Sequence, residues 1–263
     1  MFRSDVALLV MTNVRVSRYG LHMTHREIVD TDFDLRSDLR GGKDPDRFSP
    51  TLRKYHRILW SKALPGGAMF TLTETFPLGY LKHDSKLGLF KVSSDAIIRT
   101  FKKHSRMRHV IGQIPEAEQE AFSRRGYSIG GMMIFPRNRI GNKHTINQAR
   151  GTNKKIEDRF DLTLEAIRRH YQGGVSPLTD VLARYSDFFD LFVDFQSYVD
   201  FFYLQDLVED DYASVKFFAP FDDFRTSALI PDIESYKKYR ALTLDFVNAR
   251  NERIGREHGS VNE

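Results

Sequence analysis

The stretch 178–208, LTDVLARYSDFFDLFVDFQSYVDFFYLQDLV, decides the fold. Nine aromatic residues fall between Tyr185 and Tyr203, with Asp180, Asp187, Asp190 and Asp194 recurring among them. The spacing is helical rather than twofold and predicts a helix, or a helix pair broken near Asp194 to Ser197, with one broad aromatic face. So many rings cannot stay wet on a small surface, so the helix around Phe188 to Phe202 is expected at the centre of the core. The acidic stripe then lies on the solvated face. As a metal site it would need histidine or more carboxylate from elsewhere, and no histidine lies between His170 and His258.

Working outward, Ile156, Phe160, Leu164, Ile167 and Tyr171 predict a second helix, closed by a left-handed cap at Gly173-Gly174. Glu165 and Arg169 stand four residues apart on it. Val215 to Phe218 reads as a strand, Pro220 to Phe224 as a turn, and Ile233 to Arg253 as an amphipathic helix passing into a polar tail over 251–263. Upstream, Ser49 and Pro50 start a helix to Ser61. Leu64-Pro65-Gly66-Gly67 is a turn. Met69 to Thr75 reads as a strand and Tyr80 to Val92 as one or two more. Ser94 to His104, with Ser93, Ser94 and Asp95 offering caps, and Ile114 to Ser123 read as short helices. Ile129 to Phe135 is a buried strand whose Gly130-Gly131 pair marks a bulge or a close backbone approach. Isolated strands among consecutive helices give an α+β domain, a modest mixed or antiparallel sheet packed against several helices. It occupies 23–250 as one unit, after a poorly constrained leader over 1–22, with Met11 and Met23 as alternative starts.

The chain has 263 residues, 41% of them hydrophobic, enough to bury a sizeable core. It has no cysteine, which excludes disulfides and thiolate metal sites and suits a reducing compartment. No apolar run approaches a membrane span, and Val6 to Met11 is too short for a secretory signal, so a cytoplasmic protein away from membranes is expected. The net charge of +5 hides an asymmetry. Residues 97–171 hold 16 Lys/Arg against 7 Asp/Glu, whereas 176–235 hold 3 against 13. A basic surface suits phosphates, RNA or an acidic partner. Equally, the two halves neutralise each other, within one chain or between copies of a homo-oligomer.

The basic half carries the densest polar equipment, Lys143, His144, Asn147, Arg150, Lys154, Lys155 and Arg159, with Asp158. Cations hold phosphate and amides read bases, so this segment is the candidate nucleic-acid site. Arg150→Ala is then expected to lose binding with the fold kept. The architectural reading has equal weight, with Arg150 or Arg159 pinning the loop through Asp158 or Asp161. Lys82, His83 and Lys86, with His144, supply the residue types of a metal-independent ribonuclease, although a polar hairpin holds the same set. Arg53 to Arg57 reads as a basic helix face before a phosphate grip. Asp30 and Asp32, joined by Asp222 and Asp223, form the alternative, an Mg²⁺-dependent phosphoryl hydrolase. A calcium loop is excluded, because Leu35 and Gly41 stand where its glycine and glutamate belong. Phosphate-binding loop, dinucleotide, zinc-helix and nucleophile-elbow motifs are absent. The leading expectation is a protein acting on nucleic acid, RNA preferred, as a binder or a cofactor-free ribonuclease of the defence or toxin type. The alternatives are the Mg²⁺ hydrolase and a non-enzymatic interaction module.

The phrases GKDPDRFSPTLRKYHRILWSKALP, GGMMIFPRNRIGNKHTINQARG, IEDRFDLTLEAIRRHY and FFAPFDDF resemble a family of uncharacterised bacterial proteins, a domain of unknown function. The resemblance covers roughly residues 30–250 and implies a single domain of bacterial, cytoplasmic origin. It brings no activity and assigns no role to any residue.

Overall fold

A computed structural model describes residues 28–259 apart from 40, 41, 75, 77 and 78, so the leader lies outside the described residues. In chain order the helices and strands begin α1 (Pro45–Phe48), α2 (Pro50–Trp60), β1 (Lys62–Ala63), β2 (Met69–Phe70), β3 (Thr73–Glu74), β4 (Leu81–Ser85) and β5 (Gly88–Ala96). There follow α3 (Arg108–Ile111), α4 (Glu116–Gly126), β6 (Met132–Pro136), α5 (Ile146–Thr152), α6 (Phe160–Tyr171), α7 (Thr179–Ala183), α8 (Ser186–Phe189), α9 (Phe195–Phe201) and α10 (Ile233–His258). β1 and β2 form a ribbon, and β3-β4-β5-β6 an antiparallel meander. The fold is α+β, and none of the described helices is long and apolar enough to cross a membrane.

β5 is the hinge of the architecture. Its first half pairs with β4, from Ser85 opposite Gly88 to Lys82 opposite Lys91. Its second half pairs with β6, from Val92 opposite Pro136 to Ala96 opposite Met132. Ser93, Ser94 and Asp95 are therefore strand residues, not helix caps. The helix expected over Ser94 to His104 does not form, because its first turn is committed to β6 and Ile97 N–H continues the ladder to Gly131 O at 2.8 Å. Ile97, Ile98 and Phe101 are buried all the same. The bulge-or-approach reading of Gly130-Gly131 resolves as approach. A Cβ on Gly130 would stand 2.5 Å from Asn251 Oδ1, and one on Gly131 1.9 Å from Gly126 O.

The aromatic segment is buried as expected, but as short helices: α7, α8, a 3-10 turn at Asp190–Phe192, α9 and another 3-10 turn at Gln205–Leu207. The break falls at Val193, a β-branched residue held at φ 70°, after which Asp194 caps α9 by accepting Ser197 N–H at 2.7 Å. Phe192, Tyr198, Phe201 and Phe202 pack edge-on or tilted with centroids 4.9–5.3 Å apart, and Trp60 of α2 meets Phe202 at 5.2 Å. The strand expected at Val215 to Phe218 is reduced to one bridge, Val208 opposite Val215. α10 runs beyond Arg253 to His258 with Asn251 and Ile254 buried, so the start of the expected tail belongs to the core.

The two charged segments hardly neutralise each other. Among the described residues one ion pair joins them, Arg169 to Asp223 at 2.5 Å. Lys143, His144, Lys154 and Lys155 stay exposed.

Candidate functional site

Four segments distant in sequence converge on a polar cavity of about 240 Å³. The first is α1. Asp44 caps it by accepting Asp46 N–H at 3.1 Å, and Pro45 sets its first turn. Asp46 is only 8% exposed, and its carboxylate accepts Ser94 N–H at 2.9 and 3.0 Å and the Ser94 hydroxyl. That contact ties α1 to β5, the second segment, which also contributes Ser93. The third is the chain leaving β6, with Arg137 and Arg139. The Arg137 guanidinium lies 3.5 Å from the Tyr80 ring centroid, and Tyr80 donates its hydroxyl to Asp44. The fourth is the start of α5, fixed by a reciprocal capping box between Thr145 and Gln148. One turn in, Asn147 donates to Ser93 Oγ at 3.3 Å and Ser94 O at 3.4 Å, while its Oδ1 is buried without a partner.

Behind the cavity a chain of hydrogen bonds runs from Trp60 through His56 and Ser94 to Asp46. Trp60 Nε1–H can only donate, and it donates to His56 Nδ1 at 3.1 Å. His56 Nδ1 is therefore bare, and the ring hydrogen sits on Nε2, 3.2 Å from Ser94 Oγ. Ser94 accepts that hydrogen and gives its own to Asp46. Burial, helped by the Arg250 cation, pushes the His56 pKa down to about 3, so the imidazole stays neutral. Burial pushes Asp46 the other way, up to about 7. The Ser94 hydrogen bonds and Arg137 oppose that rise, and Asp44 adds to it.

This raised pKa makes a stability prediction. The folded chain holds a proton on Asp46 that the unfolded chain has lost, from near pH 4 up to about 7. The stabilisation is complete at low pH and disappears as pH rises through 7. Between pH 5 and pH 8 Asp46 thus costs roughly 2–3 kcal/mol. Asp46→Asn should flatten the fall in unfolding free energy over that range, measured by urea titration. An unchanged slope would show that Asp46 is not the titrating group.

The residues singled out in the sequence fall elsewhere, with one exception. Asn147 lines the cavity, and exposed His144 and Lys143 precede α5 beside it. Arg150 is fully buried, donating to Thr163 Oγ1 at 2.8 Å and Asp95 Oδ2 at 2.9 Å, with Asp158 at 3.7 Å. Arg159 is buried against Asp161, 2.5 Å away, and donates to Ala219 O and Ala228 O. Both brace the chain through buried contacts, and Arg159 also lines the cleft under loop 219–231. Lys154 and Lys155 are exposed near the neighbouring loop 219–231, which covers a larger, mainly apolar cleft of about 360 Å³. His83 is buried, stacked on Phe70 at 4.2 Å, with Nδ1 accepting Thr71 N–H at 3.2 Å. Lys82, next to it on β4, points to the other face and pairs with Asp84, while Lys86 lies in the exposed hairpin turn. These groups do not converge on one point.

Nor do the four aspartates of the alternative reading. Asp30 accepts Asp32 N–H, and Asp32 pairs with Arg125 at 2.6 Å. Asp222 accepts from Thr226, and Asp223 is held by Arg169. Among the described residues no three histidine or carboxylate side chains gather in a metal-binding group.

Sequence reasoning passed over Asp46, Ser94, Arg137 and Arg139. Asp44-Pro45-Asp46 reads as loop, and Ser93-Ser94 as helix caps. The one available signal was Arg137-Asn138-Arg139 directly after a buried strand, a place where cations project from a rigid edge. The residues forming this cavity lie inside the span 29–254, which matches the model of a family of unknown function, DUF6994. The chain belongs to that family. No curated protein and no solved structure matches it.

Proposed function

We propose that the protein acts on nucleic acid, RNA in preference, and that the cavity receives one nucleotide unit of the strand. The observation that carries this reading is the pair Arg137 and Arg139. Both flank the cavity, and among the described residues neither stands within ion-pair distance of a carboxylate, although Arg137 lies over the Tyr80 ring and its charge reaches Asp46. Guanidinium groups without a salt bridge, beside a cavity walled by hydroxyls and amides, suit a phosphate flanked by ribose and base. The volume lies below the roughly 300–1,000 Å³ of drug-sized pockets, so it fits one unit of a polymer. Exposed Lys143, with His144 beside it, adds a cation just ahead of α5.

The test is binding of labelled single-stranded RNA and DNA across a salt series. Expected is tighter binding to RNA, weakening steeply with salt. In Arg137→Ala/Arg139→Ala the logarithmic salt slope should fall by about 1.4, with the melting temperature kept. Binding that ignores salt, or that both arginines can leave without loss, would overturn the reading.

A further inference from the structure

We infer that Asp46 is the proton acceptor of this cavity, acting on a ribose 2′-hydroxyl that attacks its own 3′-phosphate; the inference rests on the RNA reading above. Three features of the geometry lead there. His56, the residue type first sought as a base, is disqualified by its hydrogen bonds. Its Nδ1 already accepts from Trp60, and its Nε2 carries the hydrogen given to Ser94. Ser94 gives its hydrogen to Asp46 and accepts from His56, an arrangement that orients the carboxylate. Asp46 remains, a buried carboxylate on the cavity wall that, among the described residues, forms no salt bridge and feels Arg137 only as a nearby charge. The donors from Ser94 fix its plane and leave lone pairs for a ligand.

The groups facing Asp46 also favour proton exchange. Asp44 shares its loop, Tyr80 precedes β4, and Arg137 approaches from the end of β6. From α2, Arg53 donates to the Asp46 backbone carbonyl at 2.8 Å, and neutral His56 sits behind Ser94. Burial among these groups brings the carboxyl close to neutrality in proton affinity, which suits a general base.

The step balances without a cofactor. Asp46 takes the 2′-hydroxyl proton as the 2′-oxygen to phosphorus bond forms. The bond from phosphorus to the 5′-oxygen breaks, its electron pair stays on that oxygen, and water protonates it. The resulting hydroxide is neutralised by the proton that Asp46 returns. Arg137 and Arg139 hold the non-bridging oxygens, where charge accumulates. The products are a 2′,3′-cyclic phosphate and a 5′-hydroxyl.

The experiment follows binding and cleavage of one labelled RNA by the full chain in EDTA, beside its 2′-O-methyl counterpart. Expected are cyclic-phosphate ends from RNA and none from the methylated strand, which binds as well. The rate should rise with pH and level off near 7. Asp46→Asn should bind within about twofold and lose at least about 100-fold in rate. Ser94→Ala, which removes a donor to the carboxylate, should move the midpoint to higher pH. Bound but uncleaved RNA, cleavage of the methylated strand, a flat pH profile, or a folded Asp46→Asn as fast as the parent would each overturn the inference and leave the binding reading standing. Absence of RNA binding would overturn both. The wild-type pH profile and the methylated strand keep the inference falsifiable if Asp46→Asn fails to fold.

Discussion

Arg150→Ala is expected to cost roughly 3–5 kcal/mol of folding stability, a large part of what a domain this size possesses. The guanidinium is fully buried and holds together four pieces of the chain. It projects from α5, donates to Thr163 on α6 and to Asp95 on β5, and reaches the Asp158 carbonyl at 3.4 Å and carboxylate at 3.7 Å. Its charge also lies 5.2 Å from the Phe135 ring centroid and 5.8 Å from that of Phe160. Alanine would remove the cation and leave Asp95 facing Asp158 with Arg99 as the remaining partner of Asp158, at 3.2 Å. The cost lies chiefly in the carboxylates left behind, since removing one partner of a buried pair strands the other. Neutralising a stranded partner should therefore recover part of the loss, and Arg150→Ala/Asp95→Asn should be more stable than Arg150→Ala. Urea unfolding followed by circular dichroism measures both. A loss below about 1 kcal/mol for the single variant would contradict the architectural assignment. The expectation drawn from sequence, a folded variant deficient in binding, is replaced by this one.

The contrast with Arg137 shows what a sequence can and cannot disclose. Both arginines belong to the same basic stretch, and composition cannot tell them apart. Arg150 lies on an inward-facing turn of α5, a segment whose sequence shows basic and amide side chains first, although Thr145 and Gln148 form a capping box. Recognising that box would have turned Arg150 inward, one turn from buried Ile146. The apolar content was legible almost throughout. Ile97, Ile98 and Phe101 are core residues whether read as helix or not, and the aromatic rings of 185–203 are buried regardless of how the chain breaks between them. Conformation failed where long-range pairing overrode local preference. Ser93-Ser94-Asp95 offers good caps, yet β6 recruits it into the sheet. The candidate site was the least legible part, because it is made by β5 meeting α1. No spacing within one segment encodes the contact of Asp46 with Ser94, 48 residues away.

Arg250→Met is expected to be comparably damaging, for a different reason. Arg250 is a fully buried cation that, among the described residues, has no carboxylate partner. It donates instead to backbone carbonyls: Phe202 O at 3.0 and 3.1 Å, Gly130 O at 2.8 Å and Met132 O at 2.8 Å. Burial pushes its pKa down to about 9, which still leaves it charged at neutral pH. Two effects compete in the variant. Removing an uncompensated buried charge relieves a desolvation penalty of a few kcal/mol. Against that, three carbonyls lose a donor, at about 1–3 kcal/mol each where no water replaces it. Methionine fills most of the space beside Trp60, whose ring centroid is 5.7 Å from the guanidinium, so a cavity adds little. The carbonyls decide the sign, and the net loss should be roughly 2–5 kcal/mol. Those carbonyls belong to α9's end, to the 3-10 turn before β6 and to β6 itself, so the loss should appear as separation of α10 from both layers. Hydrogen exchange should then rise at Gly130 N–H, which donates to Asn251 at 2.8 Å, before it rises in α6. Arg250→Lys keeps the charge but spans fewer carbonyls, and should fall between methionine and the parent. If methionine proved as stable as arginine, the buried charge would have to cost more than its hydrogen bonds return, and the role of Arg250 as the brace between α10 and the sheet would be lost.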